Sequence, residues 1–161
     1  MSRTPLPYSQ VLLDHFRNPR NLGPFEGADV VAKAGSPACG DMITFYLKVA
    51  GEAVDRISFE SYGCAANIGT ASYLTELVAG RPLEEAWKVS WKRLSDDLGG
   101  LPKVKFHCGI LAVGALQRAI RDYFRGRGPA PAWIPAELTE EEKNAQEEEE
   151  LAGSLEHKLH K

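Results

Sequence analysis

A mixed α and β domain, with an antiparallel hairpin ahead of its main helices, is what the sequence predicts. Two changes of hydrophobic period and one tight turn carry that prediction. Ile43, Phe45, Leu47 and Val49 alternate with Met42, Thr44, Tyr46 and Lys48, the period of two expected of a half-buried strand. Gly51-Glu52 offers a turn, and Ile57 and Phe59 alternate with Arg56, Ser58 and Glu60 on the return strand, which stops near Tyr62-Gly63. Beyond Cys64 the period changes to that of a helix.

The remaining elements follow in order. Tyr8, Val11, Leu12, His15 and Phe16 recur at helical spacing until Asn18-Pro19 breaks the pattern. Residues 30–38 offer a third strand. Ile68, Ala71, Leu74, Leu77 and Val78 mark a helix that ends at Gly80-Arg81-Pro82. A short helix is expected over residues 83–87, then a less regular stretch to the break at Gly99-Gly100-Leu101-Pro102. From Ile110 the spacing of Val113, Leu116, Ile120, Tyr123 and Phe124 gives the clearest helix, with Cys108 just ahead of it. Pro129, Pro131 and Pro135 then mark a semi-stiff segment.

This organisation divides the 161 residues into a folded body over 1–128, a proline-bearing linker over 129–136 and an acidic tail over 137–161. Net charge separates body from tail. Residues 1–128 hold 16 Lys/Arg against 13 Asp/Glu, and residues 129–161 hold 3 against 9. In the tail, Thr139 and Glu142 form a capping box ahead of a Glu-rich stretch, read as a solvated helix or a disordered segment. No Lys/Arg cluster is dense enough to track a phosphate backbone, which argues against nucleic acid as a partner. The longest apolar run, near residues 110–116, is far short of the ~20 residues that span a bilayer. Nothing in MSRTPLPYSQ resembles a secretion signal, so the cytoplasm is the expected compartment.

Cys39, Cys64 and Cys108 are an odd number in a chain without a recognisable secretion signal, which makes a disulfide framework a poor explanation. Core filling, metal binding and thiol chemistry all stay open for a lone cysteine. Their neighbours narrow the choice. Cys39 lies two residues before Asp41, so an extended backbone would turn both side chains to one side. Cys64 feeds the mouth of a helix and Cys108 precedes another, where unpaired N–H groups favour thiolate over thiol. His107 adjoins Cys108. Such a set suits a thiophilic metal, although the spacing alone fits neither a zinc finger nor a ferredoxin.

Four stretches in order carry a resemblance: YSQVLLDHFRNPRNLG (8–23), SPACGD (36–41), SFESYGCAAN (58–67) and LPKVKFHCGILA (101–112). Together they resemble the iron–sulfur cluster assembly scaffolds of the IscU/NifU N-terminal type. The resemblance implies an α+β fold, a small three-stranded antiparallel sheet packed with about five helices. It also implies that Cys39, Cys64 and Cys108 are cluster ligands. Asp41 would govern how readily a cluster is released, and His107 would supply a fourth ligand. The implied cargo is a transient 2Fe-2S cluster, with iron or zinc at the same residues. Implied partners are a cysteine desulfurase, iron and electron donors, and recipient apo-proteins. The thiolate character expected at the helix mouths makes Cys64 and Cys108 competent to take up sulfur, with Cys108 as the expected first persulfide acceptor. In this role the protein is a carrier and not an enzyme.

Some positions depart from the family. Lys103 replaces the central proline of the chaperone-docking LPPVK, which argues against chaperone handoff. Gly109 stands where serine is usual, Val113-Gly114 replaces a commonly acidic pair, and Asn67 occupies a normally small position. A zinc-dependent sulfur acceptor of the SufU-like branch is the alternative. It is the poorer match, because the interval from Cys64 to Cys108 looks uninserted.

Overall fold

The computed structural model describes residues 8–36, 40–101 and 106–144; the side chains of Ser36, Phe106 and His107 also fall outside that description. Three strands, β1 (Val30–Ser36), β2 (Asp41–Ala50) and β3 (Ala53–Tyr62), form one antiparallel sheet in the order β1-β2-β3. The β2–β3 turn has positive φ at both Gly51 (59°) and Glu52 (61°), the handedness that matches strand twist in a two-residue hairpin. Ile43, Phe45, Leu47, Ile57 and Phe59 are buried on one face, as their alternation predicts. On the same face pack α2 (Ala65–Val78) and α5 (Phe106–Phe124), through Leu74, Val78, Leu111, Leu116 and Ile120 among others.

The helix α1 (Gln10–Arg17) starts at Ser9, whose hydroxyl accepts the Leu12 N–H at 3.1 Å and donates to the Leu98 carbonyl. Its buried stripe is narrower than the spacing predicts. Leu12, Leu13 and His15 point inward, while Val11 and Phe16 are exposed. The reason is a close crossing on α2: a Cβ on Gly69 would lie 2.5 Å from Leu12 Cδ1, so only the face centred on Leu12 meets a neighbour.

The short helix α3 (Leu83–Trp87) forms as expected, but α4 (Trp91–Asp97) occupies a stretch read as irregular. Ser90 caps it by accepting the Arg93 N–H, and Leu94 and Leu98 are buried beneath it. A second correction concerns α5. It begins at Phe106 and not at Ile110, so Cys108 lies within its first turn instead of ahead of it. The apolar spacing could not mark that start, because Phe106, His107 and Cys108 form no apolar stripe of their own.

Packing continues past residue 128. The segment read as a linker lays Trp133 against Trp87 and Phe124, with ring centroids 6.0 and 5.8 Å away, and buries Ile134. Thr139 and Glu142 form the expected capping box, their backbone N–H groups bonding each other's side chains at 3.1 Å. The Glu142 carboxylate is 3% exposed and takes a two-pronged bond from Arg121 at 2.8 and 2.9 Å. Residues 140–144 are helical; the rest of the tail lies outside the described residues. Deleting residues 136–161 strips Arg121 of this partner and is expected to cost about 1–3 kcal/mol, a few degrees in Tm. Metal binding should persist, which a melt and a zinc titration on the truncated chain would check.

His15 links α1 to α2. Its Nδ1 lies 2.8 Å from Ser72 Oγ, its Nε2 3.4 Å from Glu76 Oε1, and its ring stands edge-on to Tyr73. Burial, and then the nearby Arg20 charge, hold its pKa below the ordinary value against the opposing pull of Glu76 and Asp14. The folded state therefore binds the proton less readily than the unfolded chain, whose histidine titrates near pH ~6.5. Its contribution is intact above that pH and is lost as the pH falls below it. We expect Tm to drop between about pH 7 and pH 5.5, and His15→Gln to flatten that drop in thermal melts across the range.

Candidate thiol and metal site

One end of the sheet gathers the chemistry. Asp41 opens β2, and the chain leaves β3 through Tyr62 and Gly63 to reach Cys64, the N-cap of α2. Cys64 has extended backbone angles, and its carbonyl accepts the N–H groups of Asn67 and Ile68 at 3.0 and 3.2 Å. Its side chain makes no capping bond. Serine, threonine, aspartate or asparagine here would stabilise the helix by about 1 kcal/mol, so the thiol forgoes a cap and stays available.

Opposite it, the first turn of α5 presents Cys108, which is fully buried. The two sulfurs stand 3.8 Å apart, although 44 residues separate them in sequence. A disulfide would need ~2.05 Å, so no S–S bond joins the two. Two thiolates bound at ~2.3 Å to one tetrahedral ion lie about 3.8 Å apart. The pair therefore already has the separation that one soft metal requires, and this chemistry fits the donors present.

Around the thiols lies a small apolar cluster distinct from the main core: Leu12, Ala66, Leu98, Leu101 and Cys108, with Tyr8, Cys64 and Tyr73 packed on it. Burial and then a 2.7 Å hydrogen bond to Asp97 push the Tyr73 phenol up to about 12. Tyr73 thus walls the cluster as a neutral ring. Cys108 is fully buried in this setting, and Cys64 is half-buried beside it.

The Asp41 carboxylate borders the same loop. A Cβ on Gly63 would lie 2.1 Å from Asp41 Oδ1 and 3.0 Å from the Gly40 carbonyl, so the carboxylate rests directly against the peptide preceding Cys64. Of the residues singled out in the sequence, Cys64 and Cys108 meet, and Asp41 borders the loop that leads into Cys64. Cys39 lies outside the described residues. His107 is the second residue of α5, its side chain likewise outside them. Among the described residues no three His, Cys, Asp or Glu side chains stand close enough to hold a metal ion together. What is described is a thiol pair with a carboxylate alongside.

Sequence reasoning did not single out Gly63, whose absent side chain makes room for Asp41, or the hydrogen bonds of Asn67. A glycine immediately before a helix-capping cysteine was the available signal for the first.

The described residues thus form an α+β domain with a thiol pair, and a carboxylate nearby, at one end of a three-stranded antiparallel sheet. The family model described as NifU-like N terminal domain matches residues 7–129, and the chain belongs to that family. It is 50% identical over 121 residues to the Archaeoglobus fulgidus "Iron-sulfur cluster assembly scaffold protein IscU 1", spanning 75% of this chain and 79% of that one. The Aquifex aeolicus protein "Iron-sulfur cluster assembly scaffold protein IscU" is 40% identical over 153 residues, 91% of this chain and 98% of its own. The Escherichia coli protein of that name is 40% identical over 120 residues, 72% and 93%. Among solved structures, a NifU-like N-terminal protein from Brucella abortus superposes with a TM-score of 0.58 at 21% identity, over 74% of this chain and 95% of that one. A putative scaffold protein for the SUF system from Fervidobacterium islandicum gives 0.57 at 23%, over 70% and 96%. Both share the fold.

Among the described residues no helix is long and apolar enough to cross a membrane.

Proposed function

We propose that this chain is a scaffold on which iron–sulfur clusters are assembled and from which they are handed on. The observation that carries the reading is the 3.8 Å approach of Cys64 and Cys108 beside Asp41. Relatives at 40–50% identity that bear the name of cluster assembly scaffolds support it. The cargo is a labile 2Fe-2S cluster held by Cys39, Cys64 and Cys108, with Asp41 or His107 completing the set. Three thiolates meet the preference of iron for soft donors, and a fourth oxygen or nitrogen leaves one exchangeable position. Such a site can release what it holds.

Sulfur arrives from a cysteine desulfurase. The Cys108 thiolate attacks the outer sulfur of the donor's persulfide; a new S–S bond forms on Cys108, and the donor thiolate leaves. Iron and electrons come from other proteins, and recipient apo-proteins take the product in the cytoplasm. The chain itself turns over no free substrate. Residues 1–128, with the segment through Glu142 packed on them, form the working unit in this reading.

Anaerobic reconstitution with ferrous iron, cysteine and a desulfurase tests it. A sulfur-to-iron charge-transfer spectrum, followed by transfer to an apo-ferredoxin, is the expected result. A chain that retains stoichiometric zinc, stimulates the desulfurase and never takes up iron would replace the scaffold with the zinc-dependent sulfur acceptor.

A further inference from the structure

Asn67 is fully buried in the first turn of α2, three residues after Cys64. Its side-chain Nδ2 lies 2.9 Å from the Tyr62 carbonyl, 2.8 Å from Ser61 Oγ and 3.3 Å from the Met42 carbonyl. All three partners can accept, which fixes the amide with its nitrogen toward the sheet. Met42 and Tyr62 are paired across β2 and β3. Asp41 is the residue before Met42, and Gly63 and Cys64 follow Tyr62. One amide therefore spans the strand end that carries the carboxylate and the strand end that leads into the thiol.

The same side chain is an expensive choice for filling space. Its Oδ1 is buried without a hydrogen-bond partner among the described residues. A small apolar side chain would leave no orphaned oxygen, and burying an unpaired acceptor is unfavourable. The donor end must therefore do something that a methyl group could not.

We propose that Asn67 is a positioning residue: by clamping the Met42 and Tyr62 carbonyls it sets the spacing between the Asp41 carboxylate and the Cys64 thiol. This rests on the reading of that sheet end as the place where metal or cluster is held. Groups that orient ligands from behind typically change metal affinity by 10–100-fold when removed.

Cobalt(II) is the probe, because its visible absorption reports ligand type and geometry independently of cluster assembly. The full chain, Asn67→Ala and Asn67→Ser are each titrated anaerobically, well below their melting temperatures, and then challenged with a chelator. Asn67→Ala is expected to bind cobalt(II) about 10–100-fold more weakly, to lose it faster and to show an altered d–d band. Asn67→Ser, which keeps one short donor, should fall between; it decides the matter should the alanine variant not fold. A variant with a lowered Tm but unchanged cobalt affinity and spectrum would make Asn67 a packing residue only and overturn the proposal. Failure of the unmodified chain to take up cobalt would instead overturn the site itself, and the positioning role with it.

Discussion

Cys64→Ala and Cys108→Ala are each expected to bring the charge-transfer absorbance of the reconstituted protein down to background while leaving it folded. Each removes one of two sulfurs already set 3.8 Å apart, and the surrounding cluster of Leu12, Ala66, Leu98 and Leu101 offers no substitute donor. The two variants should differ in stability. Cys64 is half-buried, so its loss costs little. Cys108 is fully buried against apolar neighbours, and removing its sulfur forfeits burial worth about 1 kcal/mol. Serine is the wrong control at position 108, because its hydroxyl would be buried at a cost of about 1–3 kcal/mol and could unfold the turn for reasons unrelated to ligation. Iron and sulfide analysis alongside thermal melts checks both halves. A variant that keeps the wild-type iron content and spectrum would remove that cysteine from the ligand set.

What the sequence made legible depends on the range of the interaction involved. The β2–β3 hairpin was readable because alternation and a turn are local: Ile43, Phe45 and Leu47 face inward at every second position, and Gly51-Glu52 closes the turn. The third strand and the helices α2 and α3 were readable for the same reason. The inward face of α1 was less so. Five apolar or aromatic positions share that side, and only the crossing at Gly69 selects Leu12 and His15 over Val11 and Phe16. In α4 the signal was present, since Trp91, Leu94 and Leu98 follow helical spacing after a capping serine, but it spans barely two turns. The packing of Trp133 and Glu142 onto α3 and α5 is tertiary, and proline content alone says nothing of it.

The site divides in the same way. Which residue types belong to it could be read from thiols at helix mouths and from the resemblance to a scaffold family. That Cys64 and Cys108 meet could not, because their contact depends on how α2 and α5 dock on one face of the sheet. Asn67 was visible only as a departure; its three acceptors come from strand ends that close on one another only in the folded protein.

Gly63→Ala is expected to damage the site more than any other single-methyl change near it. Gly63 has φ +132°, a conformation that a side chain makes costly by about 1–3 kcal/mol. Its new Cβ would also fall 2.1 Å from Asp41 Oδ1, so the carboxylate must move or the loop aiming Cys64 must. Gly40→Ala separates these causes. It shares a positive φ, +86°, but its Cβ would meet nothing within 4 Å among the described residues. We therefore expect Gly40→Ala to lower Tm with little change in zinc affinity. Gly63→Ala should lower both, with zinc affinity down about 10-fold or more. Adding Asp41→Ala to Gly63→Ala removes the oxygen that the methyl would strike. The double variant should melt higher than the sum of the two single losses predicts, by about 0.5–3 kcal/mol of coupling as contacting residues show. Equal behaviour of Gly63→Ala and Gly40→Ala in both melts and zinc titrations would mean that Asp41 is not seated against the Cys64 loop. Strict additivity in the cycle would say the same.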